Sequence, residues 1–174
     1  HIPIAVGVGY ALKYLGGDAM SIAFFGDGTV NIGAFSEGLN MASYLATPVL
    51  FVLENNQYAE YTKTSKTIGG GSIAKRAEAY GVRVLVADGN DVFSVYRAAK
   101  TAEPIVRSGK PVLIEALTYR MKGHNPYDAA TYRPAAEVEY WRSRDPIALY
   151  EKRLLSDGIG KAELDEIRAW AKAI

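Results

Sequence analysis

Ser21-Ile22-Ala23-Phe24-Phe25-Gly26-Asp27-Gly28-Thr29 and Pro48-Val49-Leu50-Phe51-Val52-Leu53-Glu54-Asn55-Asn56-Gln57-Tyr58 are the two stretches that decide the fold. Each is a short continuous apolar run closed by Gly, Asp or Asn. Runs of this length bounded by turn residues read as strands buried on both faces. Between them, residues 33–45 place Phe35, Leu39, Ala42 and Leu45 at helical spacing, which gives one inward stripe. A strand, a helix and a second buried strand predict parallel pairing.

The same alternation continues outward. Residues 3–15 form a helix-like run closed by Gly16-Gly17, and a polar, Gly-rich loop runs from Asn55 to about Gly71. Residues 73–80 read as a short helix, 82–86 as a strand, 91–107 as a longer helix and 112–117 as a fourth strand. An irregular stretch near 121–134 precedes two or three charged amphipathic helices, from about 135 to the end. The fold class is therefore α/β, three layers with a mostly parallel sheet covered by helices on both faces. Ligands in such sheets sit at the carboxyl ends of strands. The loops after Phe25, Leu53 and Leu117 are where chemistry is expected.

The 174 residues fit one domain, spanning 1–174, which buries roughly 70% of its unfolded surface. A 49% apolar and 22% charged composition is that of a globular protein. Lys and Arg total 20 against 19 Asp and Glu, so no strong field exists to draw nucleic acid or anionic lipid, and neither partner is expected. The sequence holds no cysteine, which excludes disulfides and thiolate metal sites and fits a reducing, cytoplasmic location. No apolar run reaches the roughly 18 residues of a membrane-spanning helix, and no signal-peptide pattern is present. His1-Ile2-Pro3 runs directly into an apolar segment and Ala171-Lys172-Ala173-Ile174 stops in mid-helix pattern, so the chain reads as a segment of a longer protein.

Gly26-Asp27-Gly28 allows a tight turn with a carboxylate pointing off the strand end. Backbone N–H groups there, helped by the next helix's N-terminus, suit phosphate oxygens. With the second strand alongside, Asp27 and the amide oxygens of Asn55 and Asn56 converge on one edge. A carboxylate, an amide oxygen and a backbone carbonyl, completed by water and diphosphate oxygens, make the all-oxygen shell that Mg²⁺ requires. Gly-Asp-Gly alone is an ordinary turn, and Asn-Asn alone says less. Together they are separated by 26 residues, 29 to 54, holding one helix and one strand. A nicotinamide-binding loop is the nearest competitor, with Gly26, Gly28 and Gly33 after a strand and Glu54 ending the next. Asn31 occupies its third glycine position, however, and Asp27 would oppose a pyrophosphate without a metal. Gly109-Lys110 is followed by Pro111 and lacks the upstream Gly of a phosphate loop, so it is a turn.

These motifs resemble the α-subunit of the thiamin-diphosphate-dependent E1 component of pyruvate, branched-chain 2-oxo acid and acetoin dehydrogenases. The likeness spans nearly the whole chain: Ile2-Pro3-Ile4-Ala5-Val6-Gly7, Gly33 to Ala42, Asp88-Gly89-Asn90-Asp91-Val92, Glu115 to Arg120, Gly123-His124, Asp128, Tyr132-Arg133 and Arg144-Asp145-Pro146-Ile147.

By that resemblance, the Asp27 carboxylate, the Asn56 side chain and the Tyr58 backbone carbonyl are the magnesium ligands. Gly28 and Thr29 offer backbone groups to the diphosphate, and His124 is the active-site histidine near the cofactor. The implied cofactor-binding set is Asp27, Gly28, Thr29, Asn56 and His124, with His124 catalytic. Read from the residues alone, His124 is a loop histidine whose proton-transfer range suits catalysis, although such residues are more often surface groups. Arg133 and Asp128 are expected to order its loop through ion pairs. The charged helices of 137–172 read as a solvated face or a subunit contact.

The resemblance further implies an E1 β-subunit partner in an α2β2 heterotetramer, with a lipoyl-E2 as acyl acceptor. The β-subunit supplies the carboxylate that activates the aminopyrimidine, and a further N-terminal half supplies more cofactor contacts. The implied reaction is oxidative decarboxylation of a 2-oxo acid such as pyruvate. Acetoin cleavage, towards which Tyr58-Ala59-Glu60 and Thr62 lean, and a non-catalytic assembly role are the alternatives. Asn125 stands where regulated eukaryotic members carry Ser, so kinase control at that position is not expected.

Overall fold

In the computed structural model, residues 1–173 are described. Helix α1 (Ile2–Leu15) has Pro3 in its first turn, where the missing N–H is no loss, and ends at Gly16 with φ 73°. β1 (Ser21–Gly26) leads through a 3-10 turn (Asp27–Asn31) into α2 (Gly33–Tyr44), and β2 (Val49–Asn55) follows. The expected loop after β2 contains a two-stranded antiparallel hairpin, β3 (Tyr58–Ala59) and β4 (Thr62–Lys63). Its strands are only two residues long, too short for an alternating pattern to be read from the sequence. Then come α3 (Ile73–Glu78), β5 (Arg83–Asp88), α4 (Val92–Arg107) and β6 (Val112–Leu117). Three helices close the chain: α5 (Ala135–Arg142), α6 (Pro146–Ser156) and α7 (Lys161–Ala173).

The four longer strands form one parallel sheet in the order β1-β2-β6-β5. Side chains alternate across it. Ala23, Phe25, Phe51, Leu53 and Leu113 face α1, α2 and α3, where Ile2, Val6, Phe35, Leu39, Ile73 and Ala77 complete one core. Leu50, Ala87, Val112 and Ile114 face α4, which contributes Ala102 and Val106 to the second. Phe25 meets Phe35 and Phe51 edge-on, at centroid distances of 5.9 and 6.5 Å.

The three-layer α/β expectation holds, with one correction. Helix α4 packs on β5, β6 and β2 but does not reach β1. Ile22 and Phe24 on that face of β1 are therefore 46% and 62% exposed, and on the opposite edge strand Val86 of β5 is exposed as well. Among the described residues, no helix is long and apolar enough to cross a membrane.

Candidate active site at the carboxyl end of the sheet

Parallel pairing brings the strand ends level, with Gly26 opposite Glu54 and Asn55 opposite Leu117. The loops after β1, β2 and β6 are neighbours for that reason. Asp27 opens the 3-10 turn and is 1% exposed. Its carboxylate accepts a hydrogen bond from the Thr64 hydroxyl. Among the described residues no Lys, Arg or His side chain pairs with it. Burying a carboxylate without a counter-charge costs on the order of several kcal/mol, which a cation bound at this position would offset.

The turn after β2 is fixed by its two asparagines. Asn55 is buried; its Nδ2 donates to Glu115 Oε1 at 2.7 Å and its Oδ1 accepts from Gln57 N–H at 3.2 Å. Asn56 Oδ1 accepts from Tyr58 N–H at 3.1 Å. These side-chain turns support the left-handed Gln57, at φ 72°. The segment after β6 ties the same turn down, Thr118 N–H donating to Asn55 O at 2.9 Å and Gln57 Nε2 to Thr118 O at 3.3 Å. An amide oxygen has two acceptor positions, so Asn56 Oδ1 holds the turn and keeps a lone pair for a cation. The hairpin then folds back on the first loop. Thr64 N–H bonds Gln57 O at 2.9 Å, and a side chain at Gly28 would lie 3.0 Å from Ala59 Cβ. Glycine is what lets the Asp27 turn approach the hairpin this closely.

Gly28 and Thr29 lie inside a 3-10 turn that the sequence pattern does not show, and α2 starts at Gly33 as expected, after the extended Ile32. The backbone donors nearest the Asp27 carboxylate therefore belong to a single tight turn rather than to the end of α2.

His124 sits exposed on the loop after β6. Its ring meets the Tyr61 ring, at the hairpin tip, at a centroid distance of 6.4 Å. Its backbone N–H donates to Asp128 Oδ2 at 2.7 Å, and Arg120 Nη1 lies 3.3 Å from its Nδ1. With an arginine donating to Nδ1, the imidazole proton belongs on Nε2. Arg120 also donates to Glu60 O and, at 2.8 Å, to the Tyr132 hydroxyl, which in turn donates to Asp128 Oδ2 at 2.7 Å. The loop is thus fastened to the hairpin tip.

Among the described residues, neither Arg133 nor Asp128 forms the ion pair expected of it. Asp128 is satisfied instead by the N–H groups of His124 and Ala130 and by Tyr132. Arg133 donates to the carbonyls of Arg120 and Met121 and lies over the Tyr119 ring, 5.6 Å from its centroid. Backbone donors sit within reach of Asp128 and carbonyls within reach of Arg133, so each finds neutral partners locally. The His124 N–H, with Tyr132 behind it, holds the Asp128 carboxyl below the usual carboxylate range. Gly123 is required here too, because a Cβ would lie 2.2 Å from Asp128 O.

Among the described residues, no group of three His, Cys, Asp or Glu side chains could hold a metal. A cation at Asp27 would have to be held by mixed carboxylate, amide and carbonyl oxygens, the donor set of a hard ion.

Residues 1–174 match the family described as dehydrogenase E1 component. The chain belongs to that family. It is 35% identical over 176 residues to the pyruvate dehydrogenase E1 component subunit alpha of Rickettsia felis, covering 100% of this chain and 54% of the relative. It is 41% identical over 175 residues to the human mitochondrial 2-oxoisovalerate dehydrogenase subunit alpha, covering 99% and 39%. The 2-oxoisovalerate dehydrogenase subunit alpha 2 of Arabidopsis thaliana is 40% identical over 161 residues, covering 91% and 34%. The chain thus spans between a third and just over half of the length of these relatives.

Within this E1 segment, sequence reasoning missed Thr64, Arg120 and Glu137. Thr64 reaches Asp27 across 37 positions. Glu137 on α5 accepts from Tyr58, Tyr119 and Lys63. Neither contact leaves a local pattern, whereas Arg120 lies four positions before His124, close enough to be suspected.

Proposed function

We propose that this chain is the diphosphate- and magnesium-binding part of an E1 α-subunit acting in oxidative decarboxylation of a 2-oxo acid such as pyruvate. The acyl group passes to a lipoyl-bearing E2, and the α-subunit works with a β-subunit. One observation carries the reading: a buried carboxylate with no counter-charge among the described residues, Asp27, and the Asn56–Tyr58 turn lie at the ends of two adjacent parallel strands. Asp27, the Asn56 amide oxygen and the Tyr58 carbonyl would hold the Mg²⁺, with Gly28 and Thr29 offering backbone groups to the diphosphate. Bound thiamin diphosphate supplies an electron sink for cleavage of the bond beside a carbonyl.

This chain's own residues bind and orient. Asp27 and Asn56 fix the cation at the sheet's carboxyl end, and the Thr64 hydroxyl sets the Asp27 carboxylate. Arg120 and Asp128 hold His124 with Nε2 free as a proton donor at the hairpin tip. The pyruvate and 2-oxoisovalerate relatives support the 2-oxo acid class without choosing the acyl chain.

The test uses the complete enzyme containing this chain. Asp27→Ala and Asn56→Ala are expected to weaken Mg²⁺-dependent binding of thiamin diphosphate by more than about 100-fold, since even contacts behind a metal ligand are worth 10- to 100-fold. Calorimetric titration measures this. Wild-type enzyme that binds the cofactor without Mg²⁺, or variants that bind normally, would overturn the assignment. Turnover of pyruvate, branched 2-oxo acids and acetoin with an artificial electron acceptor then separates the substrates; turnover of none would favour a non-catalytic role.

A further inference from the structure

Glu137 lies on α5, a helix with no fully buried residue, yet its own side chain is only 16% exposed. Oε1 accepts from the Tyr58 hydroxyl at 2.7 Å and from the Tyr119 hydroxyl at 3.0 Å, and Oε2 takes the Lys63 ammonium. Tyr58 and Lys63 are directly opposite each other in the β3–β4 register. One carboxylate therefore grips both strands of a hairpin that is too short to be stable alone. Burial pushes the Glu137 carboxyl up, but its three donors outweigh that, and it stays below the usual range and charged at neutral pH.

The two ends of this hairpin are the parts that reach the metal loops. Tyr58 donates its N–H to Asn56 Oδ1, and Thr64, immediately after Lys63, donates its hydroxyl to Asp27. A shift of the hairpin would move the Asn56 turn and the Thr64–Asp27 contact together. We infer that Glu137 is a positioning residue for the magnesium–diphosphate site, locking the β3–β4 hairpin in the register that aligns Asp27, Asn56 and Tyr58. The inference rests on the function proposed above. A carboxylate that merely fastened α5 would change stability and leave metal affinity alone.

The experiment is a Mn²⁺ titration of the complete enzyme with thiamin diphosphate present, followed by electron paramagnetic resonance, alongside melting of the metal-free protein. Glu137→Gln and Tyr58→Phe are each expected to weaken Mn²⁺ binding by about 10- to 100-fold. The double variant should lose no more than the weaker single, because both changes act on one contact. Glu139→Gln, on the exposed side of the same helix, should bind like wild type. Normal Mn²⁺ affinity in both folded variants, or additive losses in the double, would overturn the inference. If Glu137→Gln fails to fold, Tyr58→Phe, which removes one hydroxyl, decides alone. A wild-type enzyme that binds no Mn²⁺ would instead defeat the underlying function.

Discussion

Asp27 concentrates the cost of function in one side chain. Its carboxylate is buried and accepts from the Thr64 hydroxyl, and no cationic side chain among the described residues would offset a charge there. Asp27→Asn keeps an acceptor for Thr64 and removes that charge. It should raise the stability of the metal-free protein by about 1–2 kcal/mol while eliminating metal binding; paired denaturation and Mn²⁺ titrations check both halves. Asp128 gives a second prediction at this scale. Its carboxyl lies below the usual range in the folded loop, so its contribution is fully present above the ordinary aspartate range. That contribution is lost as pH falls through the lowered value. The backbone amide resonance of Ala130, which donates to Asp128 Oδ1 at 2.8 Å, should therefore shift below the ordinary aspartate range as the carboxylate protonates, and a resonance that does not move there would refute this role. Replacing Arg120 by Met should leave folding intact and raise the mobility of His124, because the guanidinium links Nδ1 to Glu60 O.

Among the elements, the start of α6 is held to the sheet by polar contacts. Arg144-Asp145-Pro146 shows how. Arg144 pairs with Asp88 at the end of β5, Asn90 Nδ2 donates to Arg144 O at 2.7 Å, and Asp145 Oδ1 caps α6 through Ile147 and Ala148 N–H at 2.9 and 3.1 Å. Pro146 occupies the first turn, where it needs no N–H partner. Asp145→Ala should cost about 1 kcal/mol by removing this cap. Faster exchange of the Ile147 and Ala148 amides would localise the loss to α6. α5 attaches differently, with Trp141 stacked on Tyr119 at 5.5 Å and Glu137 on the hairpin. The hairpin is the element whose position depends on others: it is held by α5 on one side and by the Asp27 turn on the other.

For the molecule as a whole, the chain belongs to the E1 family and spans only part of its relatives' length. The 174-residue stretch alone is expected to catalyse no decarboxylation, while the complete α/β enzyme does; measurable turnover by the stretch would refute this. Much of the architecture was legible beforehand, because continuous apolar runs closed by Gly, Asp or Asn leave parallel strands as the economical solution. Strands β1, β2, β5 and β6 and helices α1 to α4 all lie close to the expected positions. Asp27 and Asn56 were readable for the same reason, since strand order and spacing put them at adjacent strand ends. The bareness of Ile22 and Phe24 was not readable, because an apolar strand looks the same whether or not a helix reaches it. Nor could the exchange of an expected Arg133–Asp128 pair for neutral partners be foreseen, since charge pattern does not reveal which backbone groups lie closer. By itself, then, the sequence determined the sheet and the placing of Asp27 and Asn56 at the carboxyl ends of neighbouring strands, both consequences of local pattern and spacing. The tertiary structure alone decided what aligns them: Thr64 on Asp27, Arg120 on His124 and Glu137 across the hairpin. The Thr64 and Glu137 contacts join distant stretches whose meeting depends on how helices and hairpin close over the sheet.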